Sequence, residues 1–296
     1  MASSDPVASA AGSAMWSDKA ATARMLDFLN KTNTDAAAVT LKRRTYDALL
    51  TPLLAANPAA PLSVLDVGCG AGHSVIAIAA LLPAGSKAVG VDFNEAFVKQ
   101  GGELAAAQVA TGLVRADVEI VFAQADAQDL SQFKDASFDA VRTERVLQHL
   151  ADPLKALREM ARVLRPGGRL VVTEGNKATI SCFAEDPFLV EMHIKTLANM
   201  SFAQDSIGTR VPLLVRQELG FSDVHVQPEV LLLTSPQQVD PGLKRAQLAT
   251  ESLVTKGTFT REECDRYIQT LLAAKEFEVM YSSTWFVTSS TKPSSL

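Results

Sequence analysis

An α/β fold, doubly wound around a mostly parallel sheet, is what this sequence predicts, and three observations carry that expectation. Short runs rich in β-branched residues alternate with helix-period stretches between residues 63 and 174. One of these runs enters a cluster of three glycines, Gly68, Gly70 and Gly72, directly before a helical pattern. The punctuation agrees: Asp152-Pro153 offers an N-cap with proline at the first helical position, and Pro166-Gly167-Gly168 stops that same helix.

Taken in order, 36–53 places Val39, Tyr46, Leu50 and Leu53 on one helical face, with Pro61 closing the segment, which predicts an entry helix. Strands are expected at 63–67, 88–92, 118–123, 138–142 and 169–174, with helices at 74–82, 94–112 and 152–164. After Glu174 the rhythm breaks. Residues 176–207 carry Phe183, Phe188, Met192, His193, Met200 and Phe202 without a clear strand and read as a helical cover. A helix at 211–219, an extended run at 224–233, two helical patterns between 241 and 277 and a last strand at 279–288 complete the chain.

Composition narrows the function. With 296 residues and 47% hydrophobic content the chain buries a sizeable core. A net charge of -5 with scattered Lys and Arg gives no footprint for a polyanion, so nucleic acid is excluded as a partner. Cys69, Cys182 and Cys264 are too few and too far apart for a disulfide framework or a metal cluster, and they point to the reducing cytoplasm. No apolar run approaches the roughly 20 residues that span a bilayer. The Ala/Ser-rich start, 1–14, lacks the basic and apolar regions of a secretory signal and is expected to fray.

The chemistry concentrates at Val64-Leu65-Asp66-Val67-Gly68-Cys69-Gly70-Ala71-Gly72-His73-Ser74. A strand running into a glycine turn and then a helix lets the backbone approach a ligand at the sheet's carboxyl edge, where open α/β sheets bind. A dinucleotide fingerprint needs a third glycine that this loop lacks: counting from Gly68 puts His73 there, and counting from Gly70 puts Val75. Asp66 would repel a pyrophosphate and favours a ligand bearing an ammonium and a sulfonium. Asp92 is placed to accept two ribose hydroxyls, Phe93 to lie on an adenine face, and Asp126 to accept from an exocyclic amine.

This set resembles the class I methyltransferases, in particular the ubiquinone/menaquinone-biosynthesis-type small-molecule branch. The resemblance covers residues 60–175 and includes Glu144-Arg145-Val146-Leu147-Gln148-His149-Leu150 and Leu164-Arg165-Pro166-Gly167-Gly168. It implies a seven-stranded Rossmann-like methyltransferase fold with helical cover segments, S-adenosylmethionine as cofactor and S-adenosylhomocysteine as product. It further implies that the turn of Gly68, Cys69, Gly70 and Gly72 receives the methionine part, Asp92 the ribose, Phe93 and Asn94 the adenosine, and Asp126 with Ala127 the adenine. Asn94 reads equally well as a helix N-cap. One domain, 1–296, is expected: 1–57 as extension and entry helix, 58–175 as cofactor-binding core, and 176–296 as substrate-cover helices and last strands.

Two arginines join the candidate cofactor contacts. Arg43 shares the face of Val39, Tyr46 and Leu50, so its charge would point toward the core and seek a partner such as the cofactor carboxylate. Arg142 stands at the end of the fourth strand, in an Arg142-Thr143-Glu144 turn unlike the Asn-Pro-Pro-Tyr type of nucleic-acid amine methyltransferases. The predicted activity is methyl transfer to a small amphipathic or aromatic acceptor, on O, N or C. His149, with a pKa tunable near neutrality, is the first candidate base and His193 the second. Glu144 is a further candidate contact for cofactor or acceptor, while Trp16, Trp285 and the apolar residues 183–202 are candidate acceptor lining. A catalytically silent cofactor-binding module and a nicotinamide-dependent oxidoreductase are the alternatives.

Overall fold

The computed structural model describes residues 19–32, 36–199, 203–239 and 243–294. Trp16, Met200, Phe202 and the 1–14 segment lie outside the described residues. Two helices, α1 (Lys19–Thr32) and α2 (Ala36–Ala56), precede the first strand. The alternating core follows as β1 (Ser63–Val67), α3 (His73–Ala79), β2 (Lys87–Asp92), α4 (Glu95–Ala110), β3 (Glu119–Gln124), β4 (Phe138–Glu144), α5 (Pro153–Val163) and β5 (Leu164–Gly175). Beyond it come β6 (Ser181–Ala184), α6 (Pro187–Asn199), α7 (Ile207–Gln217), β7 (Asp223–Leu233), α8 (Pro236–Val239), α9 (Lys244–Thr255), α10 (Arg261–Ala273) and β8 (Val279–Thr291).

The sheet runs β3-β2-β1-β4-β5-β8, parallel as far as β5, with β8 antiparallel and β7 on its other side. Eight strands occupy seven positions. Tyr281 and Ser282 of β8 pair at once with β6 and with β7, so β6 must lie on the β5 edge of β8 and continue β5 beyond Gly175. The expectation of no strand in 176–207 is therefore corrected. Ser-Cys-Phe-Ala is too short to show alternation, and only the long β8 gives it a ladder.

Adjacent strand residues serve opposite cores, as a sheet covered on both faces requires. Val64, Ala88, Ala140 and Val171 pack with Tyr46 and Leu49 of α2 and Val75 and Ile78 of α3. Leu65, Val89, Val141 and Leu170 pack with Leu157 and Met160 of α5 and Val211 and Val215 of α7. A third core joins Leu189 and Met192 of α6, Leu253 of α9, Tyr267 and Ile268 of α10 and Val279 of β8. Helix ends follow local chemistry. Asn94 accepts from the Ala96 N–H at 3.0 Å as the α4 N-cap, and Asp152 accepts from Lys155 at the same distance with Pro153 opening α5. Among the described residues no helix is long and apolar enough to cross a membrane.

Candidate functional site

The loop after β1 closes onto β2: the Gly68 and Cys69 N–H groups both donate to the Val91 carbonyl, at 2.8 and 2.9 Å. Gly68, Gly70 and Gly72 have φ of 72°, 53° and 82°, the left-handed region where a side chain is strained. Space also forbids a side chain at two of them. A Cβ on Gly68 would stand 2.1 Å from Val146 Cγ2, and one on Gly72 would stand 2.6 Å from Phe122 Cζ. At Gly70 the neighbour is Leu29 of α1, at 3.1 Å.

Helix α1 is absent from the sequence expectation, yet it crosses this loop. Asn30 Oδ1 lies 2.8 Å from His73 Nε2, and Thr22 Oγ1 accepts from Asn94 Nδ2 at 3.2 Å. Cover over the glycine turn thus comes from the N-terminal side of the chain, with Leu29 against Gly70.

Asp92, the last residue of β2, binds the loop directly: Oδ2 accepts from the Gly70 N–H at 2.8 Å and Oδ1 from the Asn94 N–H at 2.9 Å. Burial pushes its carboxyl up, against the pull of those N–H groups. Each carboxylate oxygen keeps a second lone pair for a ligand. Phe93 is half exposed beside it, and its carbonyl accepts from Gln124 Nε2 at 2.8 Å. Two residues past β3, Asp126 uses Oδ1 to accept from the Gln128 N–H at 2.8 Å, and the Ala125 N–H donates to the Asp92 carbonyl at 3.0 Å. Asp92, Phe93, Asp126 and the buried Ala127 therefore share one sheet edge with the glycine loop.

Below that loop lies a buried charge cluster on the α2 face of the sheet. Arg142, 2% exposed, donates Nη1 to Asp66 Oδ1 at 2.8 Å and Nη2 to Glu144, while its guanidinium stands 5.3 Å from the Tyr46 ring. Burial raises the Asp66 carboxyl, only partly opposed by Arg142. Burial would raise Glu144 too, but Lys42, Arg142 and Arg145 outweigh it and hold that carboxyl at about 2. Asp66 Oδ2 and Arg142 Nε are buried without a hydrogen-bond partner among the described residues.

The cation that α2 directs at this cluster is Lys42, which corrects the placement expected for Arg43. Arg43 is exposed and pairs with Asp47 at 3.3 Å, and Val39 is exposed as well. The buried arc of α2 centres on Thr45, Tyr46 and Leu49. Lys42 lies on it, and Arg43 is turned one residue, about 100°, away. Burial lowers the Lys42 ammonium to about 8, with Arg145 and Arg142 pulling the same way and Glu144 and Asp66 against.

The turn after β4 brings up His149. Its Nε2 lies 3.1 Å from Gln148 Nε2; an amide nitrogen only donates, so His149 Nε2 is the acceptor and the ring proton sits on Nδ1. Burial, and then Arg145, lower its pKa, so the ring is neutral at neutral pH. His193 is elsewhere, on α6 in the third core with its ring 5.1 Å from Tyr281, Nε2 buried without a hydrogen-bond partner among the described residues. Met192 is core, and Phe188 stacks under Arg266 at 3.9 Å, so neither lines a space beside the loop. Trp285 does approach the site: it pairs with Gly175 across β5 and β8, and the Arg145 guanidinium stands 5.8 Å from its ring.

Residues 65–172 match the family model described as a methyltransferase domain. A 37.1 kDa protein of a Streptomyces fradiae transposon is 30% identical over 245 residues, covering 82% of this chain and 66% of that protein. The demethylmenaquinone methyltransferase of Clavibacter sepedonicus is 38% identical over 120 residues, 40% of this chain and 44% of its own length. The chain thus spans about two fifths to two thirds of the length of the curated relatives it matches. A solved methyltransferase candidate from Bacillus halodurans C-125 superposes with a TM-score of 0.53 at 21% identity, over 82% of this chain and 98% of that one. The chain shares the fold of that solved structure, and its residues 65–172 are similar to class I methyltransferases. Its likeness within that class is to the menaquinone-type branch, and these relatives lend the nicotinamide alternative no support.

Proposed function

We propose that the protein is an S-adenosylmethionine-dependent methyltransferase acting on a small organic acceptor. The observation that carries this reading is the coupling of Gly70 to Asp92, which sets backbone N–H groups and a buried carboxylate on one edge beside an open aromatic, Phe93. The unpartnered Asp66 Oδ2 fits an ammonium, Asp92 a pair of hydroxyls and Asp126 an exocyclic amine. In this assignment Gly68, Cys69, Gly70 and Gly72 line the methionine part and Ala127 the adenine. Arg142 acts by holding Asp66 and Glu144, one through each terminal nitrogen. Lys42 replaces Arg43 as the cation that meets the cofactor carboxylate.

When bound, the cofactor supplies a methyl group on a sulfonium, open to in-line displacement. The chain aligns the acceptor and excludes water. His149, neutral and with a lone pair on Nε2, takes the proton of a hydroxyl acceptor once Gln148 releases it. Glu144, held as a carboxylate far below neutrality, is a poor base. His193 remains the second candidate base. The acceptor space is assigned to the region of Arg145 and Trp285 at the strand ends, which suits a planar or amphipathic molecule. The whole chain works as one domain, 58–175 holding the cofactor and 176–296 with α1 covering it. The reading also puts the protein in the cytoplasm, where its three free thiols stay reduced.

Labelled methyl transfer to a panel of quinols, phenols and amines tests the activity; retention of all label on the cofactor across the panel, despite tight binding, would instead support a silent binding module. His149→Ala is expected to lower kcat about ten- to a hundredfold for a hydroxyl acceptor with S-adenosylhomocysteine affinity within about twofold of wild type. An unchanged kcat removes His149 from the mechanism. For Lys42, the sign is set by its lowered pKa: the ammonium is charged below about 8, so S-adenosylhomocysteine binds tightest there and weakens as pH rises through 8. Lys42→Met is expected to lose about tenfold in affinity at pH 7, roughly one charge-assisted contact. It should also flatten the pH dependence, and calorimetry between pH 6.5 and 9 checks both.

A further inference from the structure

Glu174, next to last in β5, is an acid with no exposed surface, and nothing in the methyl-transfer chemistry uses it. Its Oε1 accepts from the Val146 N–H at 2.8 Å and the Leu147 N–H at 2.7 Å, the first amides of the 3-10 turn Leu147–His149. Helix α7 seals it in. A Cβ on Gly208, in the first turn of α7, would stand 2.6 Å from the carbonyl oxygens of Glu174 and Gly175, so only glycine lets the helix sit this close.

The turn that Glu174 holds is under tension and under load. Arg145, just before it, has φ 58°, a strained value for a residue with a side chain, and its N–H is tied to the Thr173 carbonyl at 2.9 Å. Val146 carries its side chain straight against Gly68, filling the space a Cβ there would need. The backbone of the glycine loop therefore rests on a residue whose own amide is fixed by Glu174, and His149 is three residues further on.

We propose that Glu174 is a positioning residue: it clamps the 145–149 turn against the glycine loop and so sets both the floor of the methionine pocket and the place of His149. This rests on the reading of 68–72 as the methionine-binding loop. A carboxylate suits the task because each oxygen accepts more than one N–H, and an apolar side chain of the same length accepts none. Burial pushes the carboxyl up to about 8 against the pull of the Leu147, Val146 and Gln148 amides, with Arg145 the charged group facing it. Either protonation state leaves an oxygen to accept, so the clamp does not depend on the charge.

The test uses the full chain as wild type, Glu174→Gln and Glu174→Leu, with S-adenosylhomocysteine calorimetry and amide hydrogen exchange on the same samples. In Glu174→Leu, exchange across 145–149 should rise at least tenfold and the Kd at least tenfold, while β2 amides at 88–91 keep their protection. Glu174→Gln, which retains an acceptor oxygen, should stay within threefold in both. Protected 145–149 amides in Glu174→Leu, or equal losses in the Gln and Leu variants, would overturn the proposal. If the Leu variant does not fold, Val146→Ala carries the test: a Kd raised at least fivefold with faster exchange at 68–70 supports the clamp, and an unchanged Kd rejects it. Wild type that fails to bind S-adenosylhomocysteine removes the cofactor reading alone, because the exchange at 145–149 still reports on Glu174.

Discussion

Arg142→Leu is expected to destabilise the fold by roughly 3–5 kcal/mol at pH 7.5, because it removes one partner of a fully buried ion pair and strands the others. Asp66 loses the hydrogen bond it accepts from Arg142 Nη1, and Glu144 loses one of the three cations that hold it ionised. The cost should depend on pH with a definite sign. Asp66 already has a raised pKa in the folded chain, and losing Arg142 raises it further. A carboxyl with a raised folded pKa favours the folded state below its unfolded pKa and loses that contribution as pH climbs through the folded value. The difference between variant and wild type should therefore be smaller at pH 5 than at pH 7.5. Denaturant midpoints at the two pH values check this, and a pH-independent loss would show that packing against Tyr46, not charge, dominates. Asp66→Asn added to Arg142→Leu should recover part of the loss at pH 7.5.

The second large effect is on binding. Asp92→Ala should weaken S-adenosylhomocysteine by at least about a hundredfold, since a charged acceptor for two hydroxyls is worth roughly 1.5–3 kcal/mol per hydrogen bond lost at a buried site. The same change unties Gly70 and Asn94, so part of the loss comes from a looser loop. Asp92→Asn isolates the Gly70 contact: with its oxygen on Gly70, its amide nitrogen can accept neither from the Asn94 N–H nor from a ribose hydroxyl. An Asn variant close to wild type in affinity assigns the effect to the Gly70 hydrogen bond, and one close to Ala assigns it to the remaining acceptor positions. Calorimetry at one ionic strength suffices for the comparison.

How far these features could be read from the chain depends on the physics behind each. The glycine turn with Asp92 was legible because a buried strand, left-handed glycines and a following helix leave an unambiguous local pattern. The β-α rhythm to Glu174 was legible for the same reason, and the first four strands lie where the alternation puts them, while β5 begins early, at Leu164, and takes in Pro166-Gly167-Gly168. The short β6 was not, because four residues have no period, and α1 was not, because its contacts with Gly70, His73 and Asn94 are all made across the fold. Arg43 was misplaced by a single residue of helical phase, which a stripe sampled at 39, 46, 50 and 53 does not resolve, and Lys42 took its place. Glu174 looked like any strand-end acid. What distinguishes a carboxylate that faces a ligand from one that caps the chain's own turn is the position of distant backbone amides, here those of Val146 and Leu147.

In the proposed function, the edge formed by β1, β2 and β3 holds an adenosyl-sulfur ligand. Titrating the purified wild-type chain with S-adenosylhomocysteine while following amide hydrogen exchange tests it directly. Saturable binding with new protection confined to 68–72, 92–94 and 126–128 is the expected result. Absence of binding, or protection that appears only elsewhere in the chain, would contradict it.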